Sequence, residues 1–147
     1  PLLADATAYR CAVDALADYV AAREADVVVA VESRGFLFGA PIAHRLRLPF
    51  VPVRKPGRLP AEHVSIDVTL EYGVDALELH ADALEPGARA VIVDDLLATG
   101  GTAVGAARLV ELVGGRVVGA AFVVELTALG GRAALASYDV HTLISYE

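Results

Sequence analysis

Val91-Ile92-Val93-Asp94-Asp95-Leu96-Leu97-Ala98-Thr99-Gly100-Gly101-Thr102 is the stretch whose reading decides the fold. Ala90 to Val93 is an apolar, β-branched run of the kind a strand buried on both faces of a parallel sheet requires. It stops at two acids, which are expected at the carboxyl end of the strand, where open α/β sheets bind ligands. Ala98-Thr99-Gly100-Gly101-Thr102 then supplies small residues, two hydroxyls and two glycines able to take positive φ, with a helix expected directly afterwards. Backbone N–H groups in such a turn converge on an anion. The loop differs from a Walker A motif, G-x-x-x-x-G-K-[ST], because no lysine enters it.

Upstream, Tyr9, Val13, Leu16 and Val20 recur at helical spacing, so residues 6–23 read as an amphipathic helix with Asp5 or Thr7 as N-cap. A valine-rich strand over 26–31 breaks into Glu32-Ser33-Arg34-Gly35 before a second helix, which places Arg34 at the same sheet edge as Asp94. A third strand, 48–53, runs into Arg54-Lys55-Pro56-Gly57-Arg58-Leu59-Pro60. The prolines block a helix and three cations cannot enter a core, so this is an exposed basic loop suited to a polyanion. Val64, Ile66, Val68 and Leu70 alternate with polar residues, Glu71-Tyr72-Gly73 turns, and Ala76-Leu77-Glu78-Leu79 follows. That pattern predicts a β-hairpin flap able to close over a ligand and exclude water. After Thr102 the chain reads as scaffold: a helix striped by Val104, Ala107, Val110 and Val113 and ended by Gly114-Gly115, a strand over 117–126, a short helical piece at Arg132, and a last strand over 141–146.

Strands alternating with helices predict an α/β fold, a parallel-cored twisted sheet with helices on both faces plus the hairpin flap, with the strand carrying the acids at its centre. The 147 residues suit a single domain, 1–147. A net charge of −7 argues against general affinity for nucleic acid or anionic membrane and requires any phosphate site to be local. Cys11 is the only cysteine, so neither an internal disulfide nor a cysteine-rich zinc site is available. His44, His63, His80 and His141 lack metal-ligand spacing. No run approaches the ~18–20 apolar residues of a membrane span and no leader pattern stands at the front, so the expected location is the cytoplasm.

The central string resembles the phosphoribosyl-pyrophosphate fingerprint of the type I phosphoribosyltransferases. Taken with Ser33-Arg34-Gly35-Phe36-Leu37-Phe38, Arg54-Lys55-Pro56-Gly57-Arg58-Leu59-Pro60, Leu70-Glu71-Tyr72-Gly73, Val124-Glu125-Leu126-Thr127 and Gly131-Arg132, the whole chain is similar to the adenine phosphoribosyltransferases. The resemblance implies purine salvage: transfer of the 5-phosphoribosyl group from 5-phosphoribosyl 1-pyrophosphate to adenine, giving AMP and pyrophosphate with Mg2+ present. It implies that Ala98, Thr99, Gly100, Gly101 and Thr102 hold the 5′-phosphate and that Asp94 and Asp95 grip the ribose hydroxyls. Arg34, Arg54, Lys55 and Arg58 would bind pyrophosphate, Glu71 would exchange a proton with the purine, and Tyr72 would stabilise the closed flap. Magnesium would be held chiefly through ligand oxygens and water, with few direct protein ligands. The resemblance also implies a homodimer. Members of the family carry a base-recognition hood ahead of the segment found here as Pro1-Leu2-Leu3, and this chain is expected to lack it. Two alternatives therefore stay open, a 6-oxopurine phosphoribosyltransferase and a non-catalytic regulator that binds phosphoribosyl pyrophosphate.

Overall fold

The structure, a computed structural model, describes residues 1–60, 62–70 and 73–147. Asp5 rather than Thr7 caps helix α1 (Ala6–Ala22), its carboxylate accepting from the Ala8 N–H at 3.0 Å. Strand β1 (Val27–Val31) is buried along its whole length, and helix α2 (Phe36–Leu46) follows the Glu32–Gly35 turn. Strand β2 (Phe50–Val53) leads through the basic loop to β3 (His63–Leu70) and β4 (Gly73–His80), which pair antiparallel. Then come β5 (Arg89–Leu97), α3 (Gly101–Leu112), β6 (Arg116–Leu126), α4 (Gly131–Ala134) and β7 (Val140–Tyr146).

Five strands form one sheet in the order β2-β1-β5-β6-β7, with every neighbouring pair parallel, so the strand carrying the two acids is central as expected. Side chains alternate between two cores. Val27, Val29, Val31, Ala90, Ile92 and Phe122 point to the face covered by α3 and the hairpin, whereas Val28, Val91, Val93 and Val123 point to the face covered by α1 and α2. Burial on both sides explains why these strands read as unbroken aliphatic runs.

Two expectations change in detail. Strand β5 does not end at the acids but runs past them to Leu97. The pairing shows why: β1 accompanies β5 only as far as Ala30 opposite Val93, whereas β6 continues alongside it to Glu125 opposite Leu97. Beyond Val93 one side of β5 is therefore open, and the acids occupy that opening while their backbone stays in the ladder. The hairpin, expected as a flap, packs one face on the core from Leu79 near its base to Val68 near its tip. Val68, Leu77 and Leu79 are buried against α3, while Val74 near the tip is 71% exposed. Helix α3 is accordingly buried on a wider arc than its apolar stripe suggested, with Ala103, Gly105 and Ala106 enclosed as well as Ala107 and Val110. A Cβ on Gly105 would run into the Val68 side chain, so glycine is what lets hairpin and helix approach so closely.

Candidate functional site

The carboxyl ends of β1 and β5 and the start of α3 enclose a cleft of about 370 Å³. Asp94 and Asp95 line one part of it and Ala98 to Thr102 another, with Arg34 and Leu70 at its sides. A second cavity of about 260 Å³ shares Arg34, Leu70, Asp94, Asp95 and Thr102, and extends past Ser33 and Asp75 to Lys55. The sequence-expected acids, small-residue turn and two of the four cations thus meet around one continuous groove.

The turn is shaped by what its glycines exclude. Gly100 has φ +89°, and a Cβ there would lie 3.0 Å from the Ala134 Cβ and the Gly131 carbonyl oxygen. A Cβ on Gly101 would strike the Thr69 carbonyl of the hairpin. The loop is therefore pressed between α4 and the hairpin tip, and any side chain at either glycine would force it open. Gly100 caps α3 without a side-chain hydrogen bond, so the first-turn N–H groups of the helix point toward the groove with the positive end of its dipole behind them. An anion is the natural occupant.

The two acids differ. Asp95 pairs with Arg34, its carboxylate 3.1 Å from the guanidinium Nε, and the arginine side chain is 73% exposed. Asp94 sits deeper and accepts the Asp95 backbone N–H at 2.8 Å. Burial, followed by the neighbouring Asp95 carboxylate, pushes the Asp94 carboxyl well above the ordinary carboxylate range. Gly35 lets the Arg34 turn lie against this carboxylate, since a Cβ there would come within 3.0 Å of the Asp94 side chain and 2.5 Å of the Val31 carbonyl.

The other cations are disposed differently. Arg54 donates from Nε to Glu32 at 2.9 Å and lies 5.8 Å from the centre of the Phe36 ring, so part of its fork is already engaged. Lys55 lines the second cavity, and its backbone N–H donates to the same Glu32 oxygen at 3.1 Å. Arg58 is exposed and lines neither cavity. Burial raises the Glu32 carboxyl, but the Arg54 and Lys55 hydrogen bonds and the nearby positive charges outweigh it and hold Glu32 below its usual range. Glu71 and Tyr72 lie outside the described residues.

Sequence reasoning assigned no role to Glu78, which is buried and accepts the Gly57 N–H at 3.2 Å, with its other oxygen 3.0 Å from His63 Nε2. Its backbone also exchanges hydrogen bonds with Arg54, so Glu32 and Glu78 together tie down the basic loop. The available signal was a single acid between Leu77 and Leu79 on a strand, a place where a charge needs a partner. Among the described residues no group of three or more His, Cys, Asp or Glu side chains could hold a metal ion. The groove instead offers two adjacent carboxylates.

The family model described as Phosphoribosyl transferase domain matches residues 6–143. An adenine phosphoribosyltransferase of Thermoanaerobacter sp. (strain X514) is 53% identical over 146 residues, covering 99% of this chain and 84% of the relative. The crystal structure of adenine phosphoribosyltransferase from Thermoanaerobacter pseudethanolicus superposes with a TM-score of 0.96 at 53% identity, over 99% of this chain and 85% of that one. The enzyme from Saccharomyces cerevisiae, crystallised with an imino-altritol bisphosphate and adenine, gives a TM-score of 0.91 at 39% identity, over 97% of this chain and 83% of its own.

Proposed function

Since the chain belongs to the adenine phosphoribosyltransferases, within the phosphoribosyl transferase domain family, we propose that its groove transfers the 5-phosphoribosyl group of phosphoribosyl pyrophosphate to adenine, releasing pyrophosphate and AMP. The observation that carries this reading is the groove itself, with paired carboxylates and a turn of backbone amides lining one cleft of about 370 Å³. A sugar phosphate fits that pairing because hydroxyls donate to carboxylates while phosphate accepts from N–H groups.

In this reading Ala98, Thr99, Gly100, Gly101 and Thr102 hold the 5′-phosphate, and Asp94 and Asp95 accept from the ribose hydroxyls. As the bond from C1′ to the pyrophosphate oxygen breaks and the bond to the purine nitrogen forms, positive charge develops on the sugar. The two carboxylates lie where they stabilise it. Arg34 and Lys55 line the adjoining cavity and take the leaving pyrophosphate, with Arg54 and Arg58 completing the basic rim. Glu71 takes the proton that the purine nitrogen loses, and Tyr72 backs the closed hairpin. The donor set fits Mg2+, an ion that takes one or two carboxylates, water and substrate oxygens rather than a protein cage, so Asp94 and Asp95 would face it. When bound, it neutralises charge on the pyrophosphate. Residues 1–147 work as one domain, and the working form is a cytoplasmic homodimer.

Incubation with magnesium, phosphoribosyl pyrophosphate and each purine base in turn, with pyrophosphate release followed, tests the reading. Adenine is expected to be consumed preferentially. Preference for hypoxanthine, guanine or xanthine would replace the base, and ligand binding without release at any base concentration would replace the enzyme with a regulator.

A further inference from the structure

Glu125 and Arg132 have no part in the chemistry above, yet they form the most completely bonded ion pair among the described residues. Arg132 forks onto Glu125, with Nη2 2.8 Å from Oε1 and Nε 3.2 Å from Oε2. The remaining Arg132 nitrogen donates to the Val140 carbonyl at 3.0 Å, and the Thr142 hydroxyl donates to Glu125 at 3.1 Å. One pair therefore fastens β6, the start of α4 and β7 together. The Glu125 side chain is buried, with 6% of it exposed, and Arg132 holds its carboxyl below the usual range.

What this corner supports is the phosphate turn. Glu125 lies opposite Leu97 in the ladder, one residue before Ala98. Gly131 packs so tightly beneath the turn that a Cβ on it would lie 2.5 Å from the Ala98 carbonyl, and Ala134 meets the Cβ position of Gly100 at 3.0 Å. We propose that Glu125 and Arg132 are positioning residues for the 5′-phosphate: by locking α4 against the sheet they form the rigid back wall that keeps the Ala98–Thr102 amides convergent. This inference rests on the proposed function, because it specifies which end of the same ligand the pair serves. A turn of amides binds an anion well only when its shape is set beforehand, and a loose wall costs affinity at that end alone.

The test compares Arg132→Lys, which keeps the charge and loses the fork, with the wild type. Ribose 5-phosphate and magnesium pyrophosphate are titrated separately by calorimetry, and KM and kcat are measured alongside. Loss of charge-assisted hydrogen bonds behind the turn is expected to weaken ribose 5-phosphate about tenfold. Pyrophosphate should be unchanged, and KM for phosphoribosyl pyrophosphate should rise with kcat nearly kept. Should Arg132→Lys fail to fold, Thr142→Val, which removes one hydrogen bond to Glu125, is read the same way, with ribose 5-phosphate weakened about threefold. Equal weakening of both probes, or unchanged ribose 5-phosphate affinity, in the folded variant overturns the inference and leaves the pair a general staple. A wild type that binds neither probe overturns the proposed function instead, and this inference falls with it.

Discussion

Asp94 and Asp95 are neighbours in sequence with opposite economies. Asp95 pairs with an exposed Arg34 side chain, a contact of the kind that contributes ~0–1 kcal/mol, and its charge presses on Asp94, so replacing it should not lower stability appreciably. In the proposed reaction its carboxylate faces the charge that develops on the sugar, and Asp95→Asn is expected to lower kcat by about 100-fold while the urea midpoint does not fall. A variant with normal turnover would remove Asp95 from the mechanism. Asp94 carries the electrostatic cost of the site. Its carboxyl holds a proton more tightly in the fold than in the unfolded chain, because burial and Asp95 raise it. The folded state therefore binds more protons in this window, and stability falls as pH climbs from the ordinary carboxylate value of about 4 through the raised one, then levels off. Asp94→Asn keeps the acceptor for the Asp95 N–H and removes the charge. Without ligand at neutral pH it should melt about 2–4 °C higher than wild type, with a flatter pH profile and little activity. Equal melting temperatures across the pH range would show that the carboxyl is not perturbed.

The hairpin, α3 and the basic loop behave as a unit larger than any one residue. Gly105 admits Val68, whose branched side chain has little rotamer freedom to retreat, and a Cβ there would also lie 3.3 Å from Leu77. Gly105→Ala should cost about 1–3 kcal/mol by forcing the hairpin off the helix, seen as a lower urea midpoint and faster hydrogen exchange in β3 and β4. An unchanged midpoint would mean that the hairpin is not packed as described. Across the groove, Glu78 secures the loop that carries Lys55. Glu78→Ala should weaken magnesium pyrophosphate about fivefold while leaving ribose 5-phosphate affinity alone, the mirror image of the Arg132 variant. Equal loss at both ends would make Glu78 a staple of the fold rather than of the loop. Much of this level was legible from sequence because fully buried parallel strands must be aliphatic runs and a two-strand arm must alternate. The partners of the loop were not legible: Glu32 with Arg54 is 22 residues apart and Gly57 with Glu78 is 21 apart, and only the parallel register of β1 beside β2, for the first, and the bridge of Glu78 to Arg54, for the second, bring them together.

At the scale of the whole molecule, the groove joins parts that the chain order keeps far apart: Arg34 after β1, Lys55 after β2, Leu70 on the hairpin, the acids on β5 and the turn before α3. Local pattern supplied each piece, since a strand end, a basic loop and a small-residue turn each declare themselves in the sequence. Their convergence follows from one topological fact, that β1 and β5 are adjacent and parallel and so end at the same edge. Nothing local reveals that α4 braces the turn from behind, because four residues of helix have no periodic signature. A ligand spanning this groove binds only where these parts have converged in the folded state, and its binding energy becomes folding energy. Phosphoribosyl pyrophosphate with magnesium at about 100 times its dissociation constant should stabilise the fold by about 2.7 kcal/mol. For a chain of this length that corresponds to a rise of about 5–10 °C in Tm. Ribose 5-phosphate and pyrophosphate supplied separately should each give a smaller rise, because each fills only one of the two adjoining cavities, and Asp95→Asn should diminish the full ligand's effect. If saturating phosphoribosyl pyrophosphate leaves Tm where it was, the groove does not hold that ligand, and the assignment of the acids to the sugar goes with it.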